Sequence, residues 1–279
     1  MRLGGHDVER QADPERWVAG LRRLGYSAAP CPVEADAPDD LRRAYVEAAK
    51  RADIVIAEVG AWSNPLDPDE TKRTEAIRHN QRQLALADEM GACCCVNVSG
   101  SRGAERWAGP HPDNLTQDTF DLIVETTREI IDAVNPTRTF YTLETMPWMY
   151  PDSADSYLRL IEAIDRERFA VHLDPVNLIS SPQRYFANAD LLRECFRKLG
   201  PHVKCCHAKD ITLADKLTVH LDEVRPGLGA LDYRTFLTEL DRLDPDVPLM
   251  IEHLSTPGEY AAAAAHIRKV AGEVGIRLR

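Results

Sequence analysis

The sequence predicts an α/β fold, a (β/α)8 TIM barrel, on the basis of three observations. Short apolar runs alternate with longer amphipathic stretches along the chain, which is the pattern of parallel strands joined by helices. This alternation repeats as about eight units of roughly 35 residues, and eight such units favour closure of the sheet into a barrel. No G-x-G-x-x-G turn follows the first apolar run, which argues against the competing architecture, an open doubly wound sheet. We expect a single domain over residues 1–279.

The first half of the chain contributes four strand–helix units. Two of its strands are weakly marked, Arg2–Gly5 because it is short and Ser27–Val33 because it contains prolines. The apolar runs Ile54–Ala57 and Cys93–Val98 are clearer strands. Between the strands, apolar residues recur at helical spacing. The predicted helices are Pro14–Leu24, Asp39–Lys50, Asp69–Met90 and Thr116–Val134.

The second half of the chain repeats this rhythm. Its predicted strands are Phe140–Leu143, Ala170–Leu173, Val203–Cys206 and Leu249–Ile251. Its predicted helices are Ser153–Ile164, Ala189–Leu199, Tyr233–Leu243 and Gly258–Val274. Between Cys206 and Tyr233 no period is evident, so we expect an irregular connection there.

Net charge and hydropathy limit the classes of partner that we expect for the chain. The formal net charge is −11, which makes a nucleic-acid backbone a poor partner. No apolar run approaches the roughly 20 residues needed to cross a bilayer, and no hydrophobic signal core is evident near the N-terminus. We therefore expect a soluble cytoplasmic protein with no membrane or nucleic-acid partner. The sequence leaves a homo-oligomer open.

Seven cysteines are present, and five of them lie in the runs Cys93–Cys95 and Cys205–Cys206. No CxxC pair occurs, and both runs lie in apolar, strand-like segments. We interpret them as small buried side chains in a reducing compartment. The alternative is a thiolate zinc site, which is disfavoured because neighbouring strand residues point to opposite faces.

Four ionisable residues each end an apolar, strand-like run: Glu144, Asp174, His207 and Glu252. A buried charge is unfavourable by several kcal/mol unless a partner offsets it, and one shared cation would serve all four. In a barrel the carboxyl ends of the strands meet at one rim, so these residues are expected to converge. Three carboxylates and one imidazole suit Mn²⁺, Mg²⁺ or Co²⁺, with Zn²⁺ as a further candidate. The alternative is a set of capping or salt-bridged residues at strand ends.

At these residues the chain resembles the xylose isomerase-like TIM-barrel superfamily. That group includes sugar isomerases and epimerases, dehydratases of inosose and dehydroshikimate, and endonuclease IV. The resemblance covers most of the chain. The motifs that carry it are Leu143-Glu144, His172-Leu-Asp174-Pro-Val-Asn177, Cys206-His207-Ala-Lys209-Asp210, Arg225-Pro-Gly227-Leu-Gly229-Ala-Leu-Asp232, Ile251-Glu252-His253 and Gly60-Ala-Trp62-Ser-Asn64-Pro65.

The resemblance implies that Glu144, Asp174, His207 and Glu252 bind one divalent metal ion, with Mn²⁺ as the first candidate. It also implies that the two glutamates are the catalytic acid–base pair. A cation that holds the carbonyl oxygen stabilises an enediolate, and carboxylates on opposite faces then remove and return the proton. The implied function is a metal-dependent sugar isomerase or epimerase acting on a small keto-sugar or related polyol acid. The alternatives are a lyase acting on a 3-oxo sugar or cyclitol by β-elimination, and a non-catalytic sugar-binding subunit.

The chain departs from its relatives at informative positions. Endonuclease IV holds three zinc ions with additional histidines, where this chain has Trp62, Asn97 and Asn177. The acidic net charge agrees with this difference in arguing against DNA repair. Asn177 also replaces a histidine found in well-known ketose 3-epimerases, and an amide hydrogen-bonds a hydroxyl but carries no proton.

Two residues share the strand parity of predicted ligands and are expected to point inward. Lys209 follows His207 by two positions and is a candidate for substrate contact, with an ion pair to Asp210 as the alternative. His172 precedes Asp174 by two positions. It either contacts substrate or orients a metal ligand.

Other substrate-binding candidates lie in loops at the expected rim. Arg225 precedes a Pro-Gly turn and is suited to clamp a carboxylate, phosphate or hydroxyl, with a solvated loop arginine as the alternative. Trp62 and Trp148 are suited to cover a sugar face, with loop packing as the alternative. His6 follows the first strand. The complete set of substrate-binding candidates is Asn177, Lys209, Arg225, His172, Trp62, Trp148 and His6.

Overall fold

The computed structural model of the chain describes residues 1–6 and 13–279. Eight parallel strands close into a barrel, and the predicted (β/α)8 architecture is confirmed. The barrel strands are β1 (Arg2–Gly5), β2 (Ala28–Pro30), β3 (Val55–Gly60), β4 (Cys94–Asn97), β5 (Tyr141–Glu144), β6 (Phe169–Leu173), β7 (Val203–Ala208) and β10 (Pro248–Ile251). Two further strands, β8 (Asp210–Ala214) and β9 (His220–Val224), form a separate antiparallel hairpin.

Helices alternate with the barrel strands along the chain. They are α1 (Pro14–Leu24), α2 (Asp39–Ala52), α3 (Glu70–Met90), α4 (Gln117–Val134), α5 (Ala154–Ile164), the short α6 (Pro182–Phe186), α7 (Asn188–Leu199), α8 (Tyr233–Leu240) and α9 (Pro257–Glu273). Within the described ranges, no helix combines the length and the apolar character that crossing a membrane requires.

Local sequence sets the helix ends. Asp13 caps α1 and Asp69 caps α3, each by accepting hydrogen bonds from backbone N–H groups of the first turn. Gly25 and Gly91 end the same two helices in the left-handed conformation that glycine adopts without strain. The predicted end of the second of these helices at Met90 is therefore confirmed.

Strand register brings ionisable side chains to one level inside the barrel. Glu144 of β5 pairs with His172 of β6, which in turn pairs with Cys205 of β7. His207 of β7 pairs with Met250 of β10. Residues that pair in parallel strands share a face of the sheet, so these side chains project into the same interior.

The segment between β7 and α8, predicted to be irregular, instead forms the β8–β9 hairpin. Asp210 opens this hairpin and pairs with Val224. The sequence prediction failed because the hairpin has no strongly buried face: most of its residues are half-buried or exposed, so no apolar alternation marks it.

The side chain of Asp210 anchors the loop that follows the hairpin. Its Oδ2 accepts hydrogen bonds from the N–H groups of Gly227 (2.9 Å) and Gly229 (3.0 Å), and its Oδ1 accepts from Leu231 (2.9 Å). A Cβ atom at Gly229 would lie 2.3 Å from Asp210 Oδ1, so only glycine fits there. The Arg225-Pro-Gly227-Leu-Gly229 motif therefore has a structural role, and Asp210 is engaged by backbone.

Candidate metal centre at the mouth of the barrel

The four predicted metal ligands converge at the carboxyl ends of their strands. Glu144, Asp174, His207 and Glu252 are buried, and one candidate ligand atom from each lies within 4.8 Å of the others. The Nδ1 atom of His207 is 2.8 Å from Glu252 Oε1 and 3.1 Å from Glu144 Oε1, and it is 4.0 Å from Asp174 Oδ2. Residues far apart in the sequence thus form one donor set.

Backbone hydrogen bonds fix one oxygen of Asp174. Its Oδ1 accepts from the N–H groups of Val176 (2.9 Å) and Asn177 (3.2 Å) at the turn after β6. The hydroxyl of Thr145 bridges to the Asp174 main chain on both sides. The other oxygen, Oδ2, is therefore held toward the shared centre.

Asn177 reaches a second ligand with its side chain. Its amide Nδ2 donates a hydrogen bond to Glu144 Oε1 across 3.2 Å. Asn177 is half-buried, so it borders both the ligand set and the open mouth.

The buried ammonium of Lys209 also lies at this centre. Its Nζ is 2.7 Å from Asp174 Oδ2 and 2.7 Å from Glu252 Oε1, and 3.5 Å from Glu223 Oε2 on β9. The side chain is only 2% exposed. Lys209 thus points inward, as its parity predicts, and no ion pair joins it to Asp210 among the described residues.

Burial and neighbouring charges shift the pKa values of the four ligand candidates in opposite directions. Burial raises the pKa of Asp174 to about 6, although Lys209 opposes the change. Burial also opposes ionisation of Glu144 and Glu252, but the adjacent His207 and Lys209 cations hold the pKa of both carboxyls below the usual range. Burial disfavours the charged form of His207, yet Glu252, Glu144 and Glu58 hold its pKa well above the usual value. The protein's own atoms therefore keep a proton on His207 at neutral pH.

The donor set fits a divalent cation. Oxygens Asp174 Oδ2 and Glu252 Oε1 are fully buried, and neither accepts a hydrogen bond of good geometry from a described residue, although Lys209 Nζ is close to both. Convergent carboxylate oxygens and one imidazole nitrogen are ligands that Mn²⁺, Mg²⁺ and related ions accept.

Glu58, which sequence reasoning missed, is a further carboxylate in the barrel interior. It lies on β3, is 2% exposed, and accepts from Nε2 of His172 (2.9 Å) while pairing with Nε2 of His6 (2.9 Å). Burial opposes its ionisation, but His207 and the other imidazoles hold its pKa well below the usual range. The sequence did carry a signal, a charged residue within the apolar run Val55–Val59. The predicted strand stopped at Ala57, three residues before the observed end at Gly60, and so left Glu58 out.

His172 and His6 occupy different levels of the interior. His172 points into the barrel as predicted, but it is 0% exposed, with its ring centroid 4.1 Å from that of His207. That depth favours a role in orienting neighbouring groups over substrate contact. His6 is 29% exposed at the mouth, and with Trp62 it lines a cavity of about 300 Å³ that also reaches Glu58.

The remaining rim candidates are held by other partners. Arg225 pairs with Glu259 of α9 through Nε and Oε2 at 2.9 Å. The indole N–H of Trp148 donates to the carbonyl of Ala108, and 39% of its side chain is exposed. Among the described residues, neither forms a hydrogen bond or ion pair with the four ligand candidates. The structure thus gathers Asn177 and Lys209 at the centre, and it gives Arg225 and Trp148 other contacts.

The sequence of this chain matches the model of a known protein family. The model of the family described as xylose isomerase-like TIM barrel matches residues 18–270 of this chain. No curated protein matches the chain significantly.

Comparison of the structure finds the same fold in solved proteins. A xylose isomerase-like TIM-barrel protein from Mycobacterium smegmatis, in complex with magnesium, has a TM-score of 0.68 at 16% identity, covering 98% of this chain and 97% of its own. A D-psicose 3-epimerase crystallised in the presence of D-fructose has a TM-score of 0.70 at 13% identity, covering 98% and 99%. Endonuclease IV from Thermus thermophilus has a TM-score of 0.74 at 14% identity, covering 98% and 100%. At these sequence identities the structural similarity establishes the fold and does not identify the reaction.

Proposed function

Since the chain belongs to the xylose isomerase-like TIM-barrel family, we propose that it is a divalent-metal-dependent sugar isomerase or epimerase. Its substrate is a small keto-sugar or related polyol acid, and Mn²⁺ is the first candidate metal. The observation that supports this most is the convergence of Glu144, Asp174, His207 and Glu252, whose ligand atoms lie within 4.8 Å of one another. The solved relative that acts on D-psicose shares the fold and is consistent with this class of substrate.

The four ligand residues would hold the cation, and two of them would also move protons. When bound, a divalent cation supplies Lewis-acid stabilisation of the negative charge that develops on a substrate carbonyl oxygen. Glu144 and Glu252 have pKa values held below the usual range, so each is available as a base toward the carbon beside that carbonyl. In an epimerisation one ionised glutamate would remove the proton, and the other, after taking up a proton from solvent, would return it to the opposite face of the carbon. In an isomerisation the glutamate that took the proton would return it to the adjacent carbon.

Lys209 and Asn177 would support this proton transfer. The Lys209 ammonium, 2.7 Å from both Asp174 and Glu252, neutralises part of the negative charge of the cluster. Asn177 holds Glu144 through its amide and offers its remaining polar groups to a substrate hydroxyl. A cavity of about 300 Å³ lined by His6, Trp62 and Glu58 is at the lower end of small-molecule pockets, and it adjoins the cluster through Glu58, although none of the four ligand candidates lines it.

A sugar substrate is favoured over nucleic acid. The net charge of −11 opposes a phosphate backbone, and Trp62, Asn97 and Asn177 stand where the resemblance to endonuclease IV would require further histidines. A duplex carrying an abasic site should therefore remain intact when incubated with the metal-loaded protein. Cleavage that is lost in Glu144→Gln would overturn this assignment.

The proposed reaction is tested by metal analysis followed by a substrate panel. Purified protein is assayed for bound metals, then incubated in deuterated water with keto-sugars and polyol acids and followed by NMR. An isomerase or epimerase exchanges a carbon-bound proton for deuterium and conserves total sugar. A lyase releases water or another leaving group, and a sugar-binding subunit changes nothing. Turnover that survives exhaustive chelation would contradict the role of the metal.

A further inference from the structure

Each of the two cysteine runs sends one sulfur into the barrel. Cys94 of β4 and Cys205 of β7 are both 0% exposed, and they lie in a small interior cluster with Ala57 and Met250. The neighbouring cysteines of the same strands belong to the larger core shared with the surrounding helices; these are Cys95 and Cys206. Alternation along a strand, which rules out a site within either run, thus brings together one cysteine from each run.

A buried imidazole completes the group. One ring nitrogen of His172 and the sulfurs of Cys94 and Cys205 lie within 4.8 Å of one another. His172 is 0% exposed, and its Nδ1 has no hydrogen-bond partner among the described residues. A buried nitrogen in this condition is unfavourable unless another group uses its lone pair.

Glu58 fixes which nitrogen of His172 is available. Its Oε2 accepts from His172 Nε2 at 2.9 Å, which places the ring proton on Nε2 and leaves the lone pair on Nδ1. The same oxygen accepts from the thiol of Cys205 at 3.4 Å. A carboxylate that orients an imidazole in this way is typical of metal-binding histidines.

We propose that Cys94, Cys205 and His172 form a second metal site, specific for a thiophilic cation of the Zn²⁺ class. Its two sulfur donors and one nitrogen donor differ in kind from the oxygen-rich set at the mouth, so the two sites select different metals. On one zinc ion, with Zn–S bonds of about 2.3 Å, two sulfurs lie about 3.8 Å apart. Sulfurs already within 4.8 Å reach that separation through a small side-chain adjustment.

Cadmium tests this site on the complete chain, because cadmium thiolates have a charge-transfer absorption in the ultraviolet that oxygen ligands do not produce. Cd²⁺ is added to reduced protein, both folded and during refolding from denaturant. The expected result is a thiolate band that saturates at about one equivalent. Cys94→Ala and Cys205→Ala should each lose most of it.

The chain supplies matched controls in the neighbouring positions. Cys95→Ala and Cys206→Ala remove buried sulfurs from the same strands but from the opposite face, so both should retain the band. Glu144→Gln should also retain it, since that change affects only the centre at the mouth. A negative result for the second metal site is therefore distinguishable from a negative result for the proposed enzymatic function.

Two outcomes would overturn the second site. The first is the absence of a thiolate band from wild-type protein under both loading conditions. The second is a band that survives in a folded Cys94→Ala/Cys205→Ala double variant, with folding checked by circular dichroism. If that double variant does not fold, the single variants give the same reading, because a band undiminished in folded Cys94→Ala or folded Cys205→Ala would also show that these sulfurs do not bind the metal.

Discussion

The side-chain amide of Asn177 donates to Glu144 Oε1 at 3.2 Å, while its backbone N–H donates to Asp174 Oδ1, also at 3.2 Å. One residue in the turn after β6 therefore holds a carboxylate on each of two adjacent strands. These two ligands cannot move independently while Asn177 is in place.

Asn177→Ala should lower catalytic efficiency while leaving the fold intact. A hydrogen bond to a charged group contributes about 1.5–3 kcal/mol, which corresponds to roughly a 10- to 100-fold loss of kcat/KM. The backbone hydrogen bond to Asp174 survives, so the melting temperature of the metal-loaded protein should change little. Steady-state kinetics with the best substrate from the panel checks this, and undiminished kcat/KM would show that Asn177 does not support Glu144.

Glu144→Gln and Glu252→Gln should each lower turnover by at least about two orders of magnitude, because an amide of the same shape cannot accept the substrate proton. Glu239→Gln is the control, since Glu239 forms a helix-surface pair with Arg242 and such pairs contribute little. Initial rates measured at saturating metal separate loss of the base from loss of metal affinity. Comparable rates for all three variants would exclude the glutamates as the proton-transfer pair.

Metal affinity should rise with pH. The carboxylates hold the pKa of His207 well above its usual value, so binding must displace a proton from its imidazole. The pKa of Asp174 is raised to about 6, so a second proton must leave below that pH and the dependence steepens there. Calorimetric titration in two buffers of different ionisation enthalpy should detect the released proton. A metal affinity unchanged between about pH 5 and 8 would contradict this picture.

Metal should raise the melting temperature, and Asp174→Asn should diminish the effect. A ligand at 100 times its Kd stabilises the folded state by about 2.7 kcal/mol if it does not bind the unfolded chain. Without the cation, three buried carboxylates repel one another around a single imidazole and one ammonium. Thermal melts with and without chelator measure the difference, and equal wild-type melts would count against a bound ion.

Gly229→Ala should destabilise the protein by about 1–3 kcal/mol, because the new methyl group would lie 2.3 Å from Asp210 Oδ1 and 2.4 Å from the Ile211 carbonyl. Gly272→Ala is the matched control. Among the described residues, no atom outside the adjoining backbone of α9 lies within 4 Å of a Cβ at that position, so alanine should stabilise the helix by roughly 0.5–1 kcal/mol. Denaturant melts of both variants give the comparison, and equal effects would show that the Asp210 loop tolerates a side chain.

The sequence signals that predicted the candidate metal centre at the mouth of the barrel are local. An apolar run that ends on an ionisable residue identifies Glu144, Asp174, His207 and Glu252, because burial along a strand and the charge at its end are both visible in one segment. Glu58 carries the same kind of signal inside its run, and it escaped only because the strand was ended too early.

Other features depend on tertiary contacts that no local pattern encodes. The pairing of Arg225 with Glu259 joins two segments 34 positions apart, and the approach of Cys94 to Cys205 joins strands on different sides of the barrel. The hairpin escaped prediction for another reason. Its two strands pair with each other, and Asp210 anchors the loop that follows them. Neither face of the hairpin is buried enough to require alternating apolar and polar residues.

The backbone amides gathered by Asp210 have an evolutionary consequence. They secure the base of the hairpin next to Lys209, whereas the tip, residues 215–219, projects into solvent with Leu217 fully exposed. Mutations at the tip can accumulate without disturbing the lysine at the base. A lineage built on this scaffold can thus vary the hairpin tip while the buried cluster around Lys209 stays constant.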